Sequence, residues 1–252
     1  MTETQWENAL NDPIAQTDGN WLNGKVAVVA GGGLSGVEGN VGFGISWLCS
    51  KQGAQIAVLD RDAEAGQRTV EIIRNHGGQA EYFPVDVTDD ASVSHAINAV
   101  VERFGQINVL VTTIGGGSVE SILDVSLEEF DSTLDLNFKS AWYLIRHSAE
   151  HMPQGGSIVT VSSGAAEGRG PGMPYGVAKT ALEKLTLGAA GSLAHRGIRA
   201  NCIRVGMIWG AFAARGMDES QREIRRQNVA LQTEGNAWDI ASAATFLATD
   251  QA

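Results

Sequence analysis

Tyr175 and Lys179 stand four residues apart, and Ser162 and Ser163 close an apolar, β-branched run that ends 12 residues before the tyrosine. On a helix, positions i and i+4 share a face, so the Lys179 ammonium can stand near the Tyr175 phenol. A phenol with an ordinary pKa of about 10 is a poor base at neutral pH. A neighbouring cation stabilises phenolate and lowers that value. Such a phenol could accept the proton of an alcohol as hydride leaves the carbon, and return it in the reverse reduction. A serine hydroxyl at the substrate oxygen would orient it and stabilise developing charge.

A hydride needs a carrier. The β-branched run 26–30 leads into Gly31, Gly32, Gly33, Gly36, Gly39, Gly42 and Gly44. A glycine-rich turn between a buried strand and a helix lets backbone N–H groups approach a pyrophosphate, and the helix dipole favours the negative charge. The second strand ends in Asp60, 18 residues after Gly42. An acid there accepts hydrogen bonds from both ribose hydroxyls of NAD and repels the additional 2′-phosphate of NADP. Arg61, immediately after it, keeps NADP in play. A plain turn with a surface acid is the alternative; strand, glycine turn, helix, strand and acid in that order favour the nucleotide.

The elements that hold these residues read as short buried strands at 26–30, 55–59, 80–85, 109–112, 157–161 and 199–203, alternating with periodic helical stretches at 63–75, 91–104, 127–152 and 175–195. With no Pro/Gly linker in mid-chain, this alternation predicts one doubly wound α/β domain of Rossmann type, a parallel sheet flanked by helices. Residues 1–22 are acidic and amide-rich around Trp6 and Trp21 and read as an N-terminal arm; residues 23–252 form the domain. A chain of 252 residues with 43% apolar content can bury a sizeable core, which excludes disorder, and its 31 glycines follow no collagen period. The net charge of −11 opposes nucleic acid and anionic membranes as partners. Two distant cysteines, Cys49 and Cys202, make neither a disulfide framework nor a zinc ribbon. Without a basic, apolar leader or a spanning segment, the chain reads as cytoplasmic.

Taken together these features resemble the short-chain dehydrogenase/reductase family, from about residue 23 to the end of the chain. That family opens with Thr-Gly-x-x-x-Gly-x-Gly. Here Ala30 stands for the Thr, Gly31 is the first glycine, Asn40 replaces the middle one and Gly42 is the last. Eight residues fill a gap that usually holds three. Using Gly42 and Gly44 as the last pair shortens the following helix by two residues, and using Gly32 and Gly36 puts Glu38 beside the pyrophosphate. In the preferred register the inserted loop 34–39 covers the cofactor phosphates or the subunit surface next to them.

The resemblance implies an NAD site built from Gly31, Gly33, Val41, Gly42, Asp60, the adenine-holding pair Asp86 and Val87, Thr113, Gly115, Tyr175, Lys179, Gly206 and Ile208. It implies catalysis by Asn137, Ser163, Tyr175 and Lys179, with the Asn137 backbone carbonyl holding a water in a proton relay through Lys179. Ser163 is the second serine of the family's pair; Ser162 fits the more usual spacing to the tyrosine and is the reserve, the deletion being assigned to the loop at Met173 and Pro174. Three departures stand out. Thr112, Thr113 and Ile114 replace Asn-Asn-Ala before Gly115, while Val205 and Gly210 replace the Pro and Thr of the nicotinamide clamp. The chain also stops at Ala252 where relatives continue into a last strand. Family members are usually tetramers, so the resemblance implies a homotetramer or homodimer.

The expected activity is an NAD(H)-dependent interconversion of a secondary alcohol and a ketone. Met207, Trp209, Phe212, Gly116, Gly117, Gly164 and Ala165 would border a hydrophobic pocket suited to a cyclic or aromatic substrate, with Trp209 alternatively a wedge under the lid 211–228. That lid carries Arg215, Arg222, Arg225 and Arg226 beside three acids, which reads as a solvated helix face. Two rivals are weighed. His147-Ser-Ala-Glu150-His151 fits an inverted zinc-peptidase pattern, but His76, His95 and His195 lie on unrelated segments, so no metal is expected. A catalytically silent NAD(P)-binding regulator would keep the fold without the chemistry; the Asn137, Ser163, Tyr175 and Lys179 set argues against it.

Overall fold

The structure is a computed structural model that describes residues 10, 11, 13–16, 18–37, 39–168, 173–214 and 217–252. Trp6, Glu38 and Arg215 lie outside the described residues. Six strands, β1 (Val26–Ala30), β2 (Gln55–Asp60), β3 (Gln79–Pro84), β4 (Val109–Thr112), β5 (Ser157–Ser163) and β6 (Arg199–Val205), form one sheet in the order β3-β2-β1-β4-β5-β6. Every pairing is parallel. This is the doubly wound α/β domain that the alternation predicts. The chain winds outward from β1 to β3 and returns at β4, so the crevice at the C-terminal ends of β1 and β4 is the topological switch point.

β1 is apolar at every position because both of its faces are covered. Ala27 and Val29 join one core with Phe43, Trp47 and Trp238, while Val26, Val28 and Ala30 join the other with Val93, Ile97 and Leu144. The covering helices are α1 (Val41–Lys51), α2 (Ala63–Asn75), α3 (Asp90–Phe104), α4 (Leu127–Leu134), α5 (Ser140–Glu150), α6 (Met173–Leu193), α7 (Glu219–Gln227) and α8 (Ala237–Ala248).

The single helix expected over 127–152 is interrupted by a π-helical turn at Asp135–Lys139. The Asn137 side chain donates 2.8 Å to the Thr133 carbonyl, and the Ser140 hydroxyl donates 2.5 Å to that of Leu136. Both take the acceptor four residues back that a regular helix gives to a backbone amide, and this opens the turn.

Described residues of the expected arm pack against α1. Leu10, Ala15 and Leu22 are buried, the Trp47 indole donates 2.7 Å to the Ala15 carbonyl, and Asp18 pairs with Lys51.

Candidate active site

The glycine loop meets α1 at closest range through Gly42, where a Cβ would fall 1.9 Å from the Gly31 carbonyl oxygen. Gly31 itself turns at φ 78°, a conformation cheap only for glycine. Gly44 has a different task, packing α1 on α8, with Ala241 3.1 Å from its would-be Cβ. The close approach therefore sits at the glycine the preferred register makes last. Helices α2, α3, α4, α7 and α8 each begin with a capping side chain and an acid in the first turn. α1 has neither: Asn40 makes no side-chain cap, and its Oδ1 takes the Ser35 amide at 3.4 Å instead. First-turn N–H groups left this way suit an anion.

The inserted loop runs beside this helix end. The Leu34 amide bonds to the Ala65 carbonyl at 3.0 Å, the Arg68 guanidinium holds the Leu34 carbonyl at 2.6 Å, and the Ala211 amide reaches the Gly39 carbonyl at 3.2 Å. Ser35 and Asn40 line the cavity. The loop thus links α2 to the segment after β6 beside the N-terminus of α1.

A cavity of about 550 Å³ extends from here. Its wall contains all the residues expected at the cofactor: Gly31, Gly33, Val41, Gly42, Asp60, Asp86, Val87, Thr113, Gly115, Tyr175, Lys179, Gly206 and Ile208. The Asp60 carboxylate accepts the Gly33 amide at 2.9 Å, and a Cβ on Gly33 would lie 2.7 Å from that same oxygen. Asp86 is held below the usual carboxylate range, chiefly by the Thr88 hydroxyl and then by its amide. The glycine cradle, the uncapped helix end and the acid at the end of β2 together fit a dinucleotide.

At the other end, α6 brings Tyr175, Lys179 and Glu183 to one face. The Tyr175 phenol stands beside the Ser163 hydroxyl, whose Oγ accepts the Ala165 amide at 3.2 Å. Burial pushes the phenol above its ordinary value, and the Ser163 hydroxyl only partly offsets this. The sequence-based lowering draws on the lysine together with the charge of an oxidised nicotinamide; among the protein's own groups burial prevails and the phenol is raised. The Lys179 ammonium lies 5.7 Å from the Tyr175 ring centroid and spends its donors on the carbonyls of Ile114 and Val161, at 2.9 and 3.1 Å. Burial brings Lys179 itself down to about 8.

Asn137 is buried but is not part of the cavity wall. Its side chain donates to the Gly116 carbonyl at 2.7 Å and accepts the Gly116 amide at 3.2 Å. It therefore fastens the loop after β4 to the π turn. Lys179 Nζ and Asn137 Oδ1 flank Gly115, 3.4 and 3.6 Å from where a Cβ would be.

These positions can be set against known proteins. A family model described as enoyl-(acyl carrier protein) reductase matches residues 36–252. Short-chain dehydrogenase reductase 3a of Arabidopsis thaliana is 32% identical, over 91% of this chain and 90% of its own. The chain belongs to the short-chain dehydrogenase/reductase family. (+)-Borneol dehydrogenase 2 of Salvia officinalis is 32% identical over 92% of this chain and 85% of its own. The crystal structure of a short-chain dehydrogenase from Burkholderia cenocepacia in complex with NADP matches with a TM-score of 0.84 at 29% identity, covering 92% of this chain and 93% of that one. Like other short-chain dehydrogenases/reductases, this protein is an oxidoreductase that uses a nicotinamide cofactor.

As a short-chain dehydrogenase/reductase it departs from the pattern in ways the geometry explains. The Thr113 hydroxyl donates 2.9 Å to the Ala30 carbonyl and so ties the end of β4 to the glycine loop. Among the residues expected to border a substrate pocket, Phe212 lies on the cavity wall, whereas Met207, Trp209, Gly116, Gly117, Gly164 and Ala165 do not. Trp209 is instead covered by the Arg222 guanidinium, 4.0 Å from its ring centroid, the wedge reading. His147 of the rival zinc pattern bonds Asp90 at 2.8 Å, and the described residues contain no cluster of three or more potential metal ligands.

Two groupings escaped the sequence reading. The Ser162 hydroxyl donates 2.8 Å to Glu183, which Arg204 grips through Nε at 2.8 Å. Glu183 continues the Tyr175–Lys179 face by one more turn, so helical spacing could have found it. Of the lid arginines, Arg226 pairs with exposed Glu223, but two leave the solvated face: Arg222 and Arg225 converge on Glu234 at 2.6 and 3.1 Å, and that carboxylate is only 6% exposed. Their meeting across the 228–233 turn has no signature in sequence.

Proposed function

We propose that the protein is an NAD(H)-dependent short-chain alcohol dehydrogenase/ketoreductase acting on a hydrophobic small molecule. The observation that carries this reading is the placing of Tyr175 beside Ser163 on the wall of the cavity that also contains the glycine cradle and Asp60. A substrate oxygen placed between the two hydroxyls has a proton donor on one side and a second hydrogen-bond donor on the other. In ketone reduction the Tyr175 O–H gives its proton to the carbonyl oxygen as the carbon gains hydride, and Ser163 stabilises the developing alkoxide. Lys179, charged at neutral pH, stabilises the phenolate left behind, and Asn137 holds the 114–116 loop against it, its backbone carbonyl serving a relay water. When bound, the nicotinamide supplies or takes the hydride and, if oxidised, adds a positive charge that favours phenolate. A raised phenol suits the acid role; alcohol oxidation runs the same proton transfer backwards.

Asp60 supports NAD over NADP, since a second anion beside it is repelled, although Arg61 shares the wall and the Burkholderia relative holds NADP. Ile114, Leu136, Val161, Phe212 and Ala213 line the cavity and support an apolar substrate. A relative named for borneol supports an alcohol–ketone reaction. The reading also takes the enzyme as a cytoplasmic homotetramer or homodimer with no nucleic-acid or membrane partner. Its charge of −11 opposes nucleic-acid and anionic-membrane partners, and no described helix is long and apolar enough to cross a membrane. A coenzyme-coupled screen of cyclic, aromatic and aliphatic alcohols and ketones tests it together with Tyr175→Phe. The variant should lose turnover by about 10²-fold or more while binding NADH as the parent does. Turnover like that of the parent would falsify the assignment, and NADH binding without turnover of any substrate by the parent would indicate a silent regulator.

A further inference from the structure

We propose that Arg225 of α7 binds the pyrophosphate of the dinucleotide, held ready for it by Glu234. The inference rests on the cofactor site described above and deepens it. The family's nicotinamide clamp has lost its Pro and Thr here, to Val205 and Gly210, so the segment after β6 needs another fastening. Arg225 supplies one by donating 2.8 Å to the Ile208 carbonyl. Ile208, Gly210, Ala211 and Arg225 share the cavity wall with Gly31 and Gly42. The Ala211 amide bonded to the Gly39 carbonyl draws this segment against the glycine loop, on the side where α1 presents an uncapped first turn without an acid.

Charge points the same way. Glu234 accepts from two guanidiniums, so the trio Arg222, Arg225 and Glu234 retains one positive charge. Arg222 is stacked on Trp209 and is not on the cavity wall, whereas Arg225 is. Of the other cations of that wall among the described residues, Lys179 is engaged on the carbonyls beside Tyr175, and Arg61 follows Asp60 at the end of β2, where its charge acts on Asp86. Two of the five guanidinium N–H groups of Arg225 suffice for Glu234 and Ile208, leaving donors in a geometry that matches phosphate oxygens. Its side chain is only 18% exposed, so the charge is less screened than that of a surface arginine.

Calorimetric titration of the full-length protein with NADH and with ADP-ribose, at two salt concentrations, tests this using Arg225→Gln, Arg225→Lys and Arg222→Gln. Arg225→Gln should weaken both ligands by about tenfold or more and flatten the salt dependence of binding, because one cation–phosphate contact is gone. Arg225→Lys should recover part of the loss, and Arg222→Gln, which removes the trio's surplus charge but no cavity atom, should weaken binding clearly less than Arg225→Gln does. Three results overturn the proposal: ADP-ribose unaffected by Arg225→Gln, equal losses in Arg222→Gln and Arg225→Gln, or an unchanged salt dependence. A parent protein that binds neither ligand overturns the cofactor site itself, which is a separate outcome.

Discussion

Ser162 and Ser163 are neighbours in the chain with opposite allegiances: Ser162 donates to Glu183 at 2.8 Å, while Ser163 stands beside the Tyr175 phenol. The alternation of an extended strand produces this split. It turns the ambiguity between two adjacent serines into a measurable difference. Ser163→Ala should lower kcat by about 10²-fold, the scale of one lost donor to a developing oxyanion. Ser162→Ala should leave kcat within a few-fold and cost about 1 kcal/mol in urea unfolding. A larger kcat loss in Ser162→Ala would reverse the roles.

The pH dependence follows from two opposed shifts. Burial brings Lys179 down to about 8 and raises Tyr175. Below about pH 8 the free enzyme therefore holds charged lysine and neutral phenol, the pair that ketone reduction uses. As pH rises through 8, Lys179 loses its proton while Tyr175 keeps its own. The kcat/KM for NADH in ketone reduction, which reports the free enzyme, should fall with the loss of one proton in that range. A profile level well above pH 8 would contradict the role given to the ammonium.

Asp60 has one oxygen on the Gly33 amide and the other on that of Asp62, at 2.9 and 3.1 Å. Asp60→Ala removes the charge that opposes a 2′-phosphate and leaves Arg61 in place. The ratio of kcat/KM for NADPH to that for NADH should rise about tenfold or more, 1.4 kcal/mol or above. An unchanged ratio would remove Asp60 from cofactor choice.

Gly42 and Gly44 should respond very differently to a methyl group. Gly42→Ala forces a Cβ to within 1.9 Å of a backbone oxygen, whereas Gly44→Ala meets the Ala241 methyl at 3.1 Å. Overpacking of the first kind costs about 1–3 kcal/mol or more and should also weaken NADH binding by shifting α1 off the loop. Gly44→Ala should lose stability without that selective loss of affinity. Urea unfolding and NADH titration of both variants check this.

Much of this molecule could be read before it was seen, for a physical reason. Strands buried on both faces must be apolar throughout, as in β1, and a helix must repeat its face every three to four residues, as Tyr175 and Lys179 do. Those rules act within a segment. What escaped them depends on segments meeting. The direction of the Tyr175 shift was missed because depth of burial decides it, and spacing along one helix does not disclose that depth. Arg225 read as a surface charge because Glu234 comes to it only after the 228–233 turn folds back. Asn137 could be named as a helix distortion, but its grip on Gly116 requires the loop after β4 to be in place.

The wide turn at Asp135–Lys139 makes the helix one residue longer than its axis requires. Removing any single residue there would let the coil tighten to ordinary α geometry, a gain in local regularity. The same deletion would leave the flanking halves nearly in place but remove the wide turn from which the Asn137 amide reaches Gly116. Length at this point is therefore constrained together with the identity of Asn137: a frame-preserving loss of one codon should leave a folded chain whose proton machinery has lost its brace.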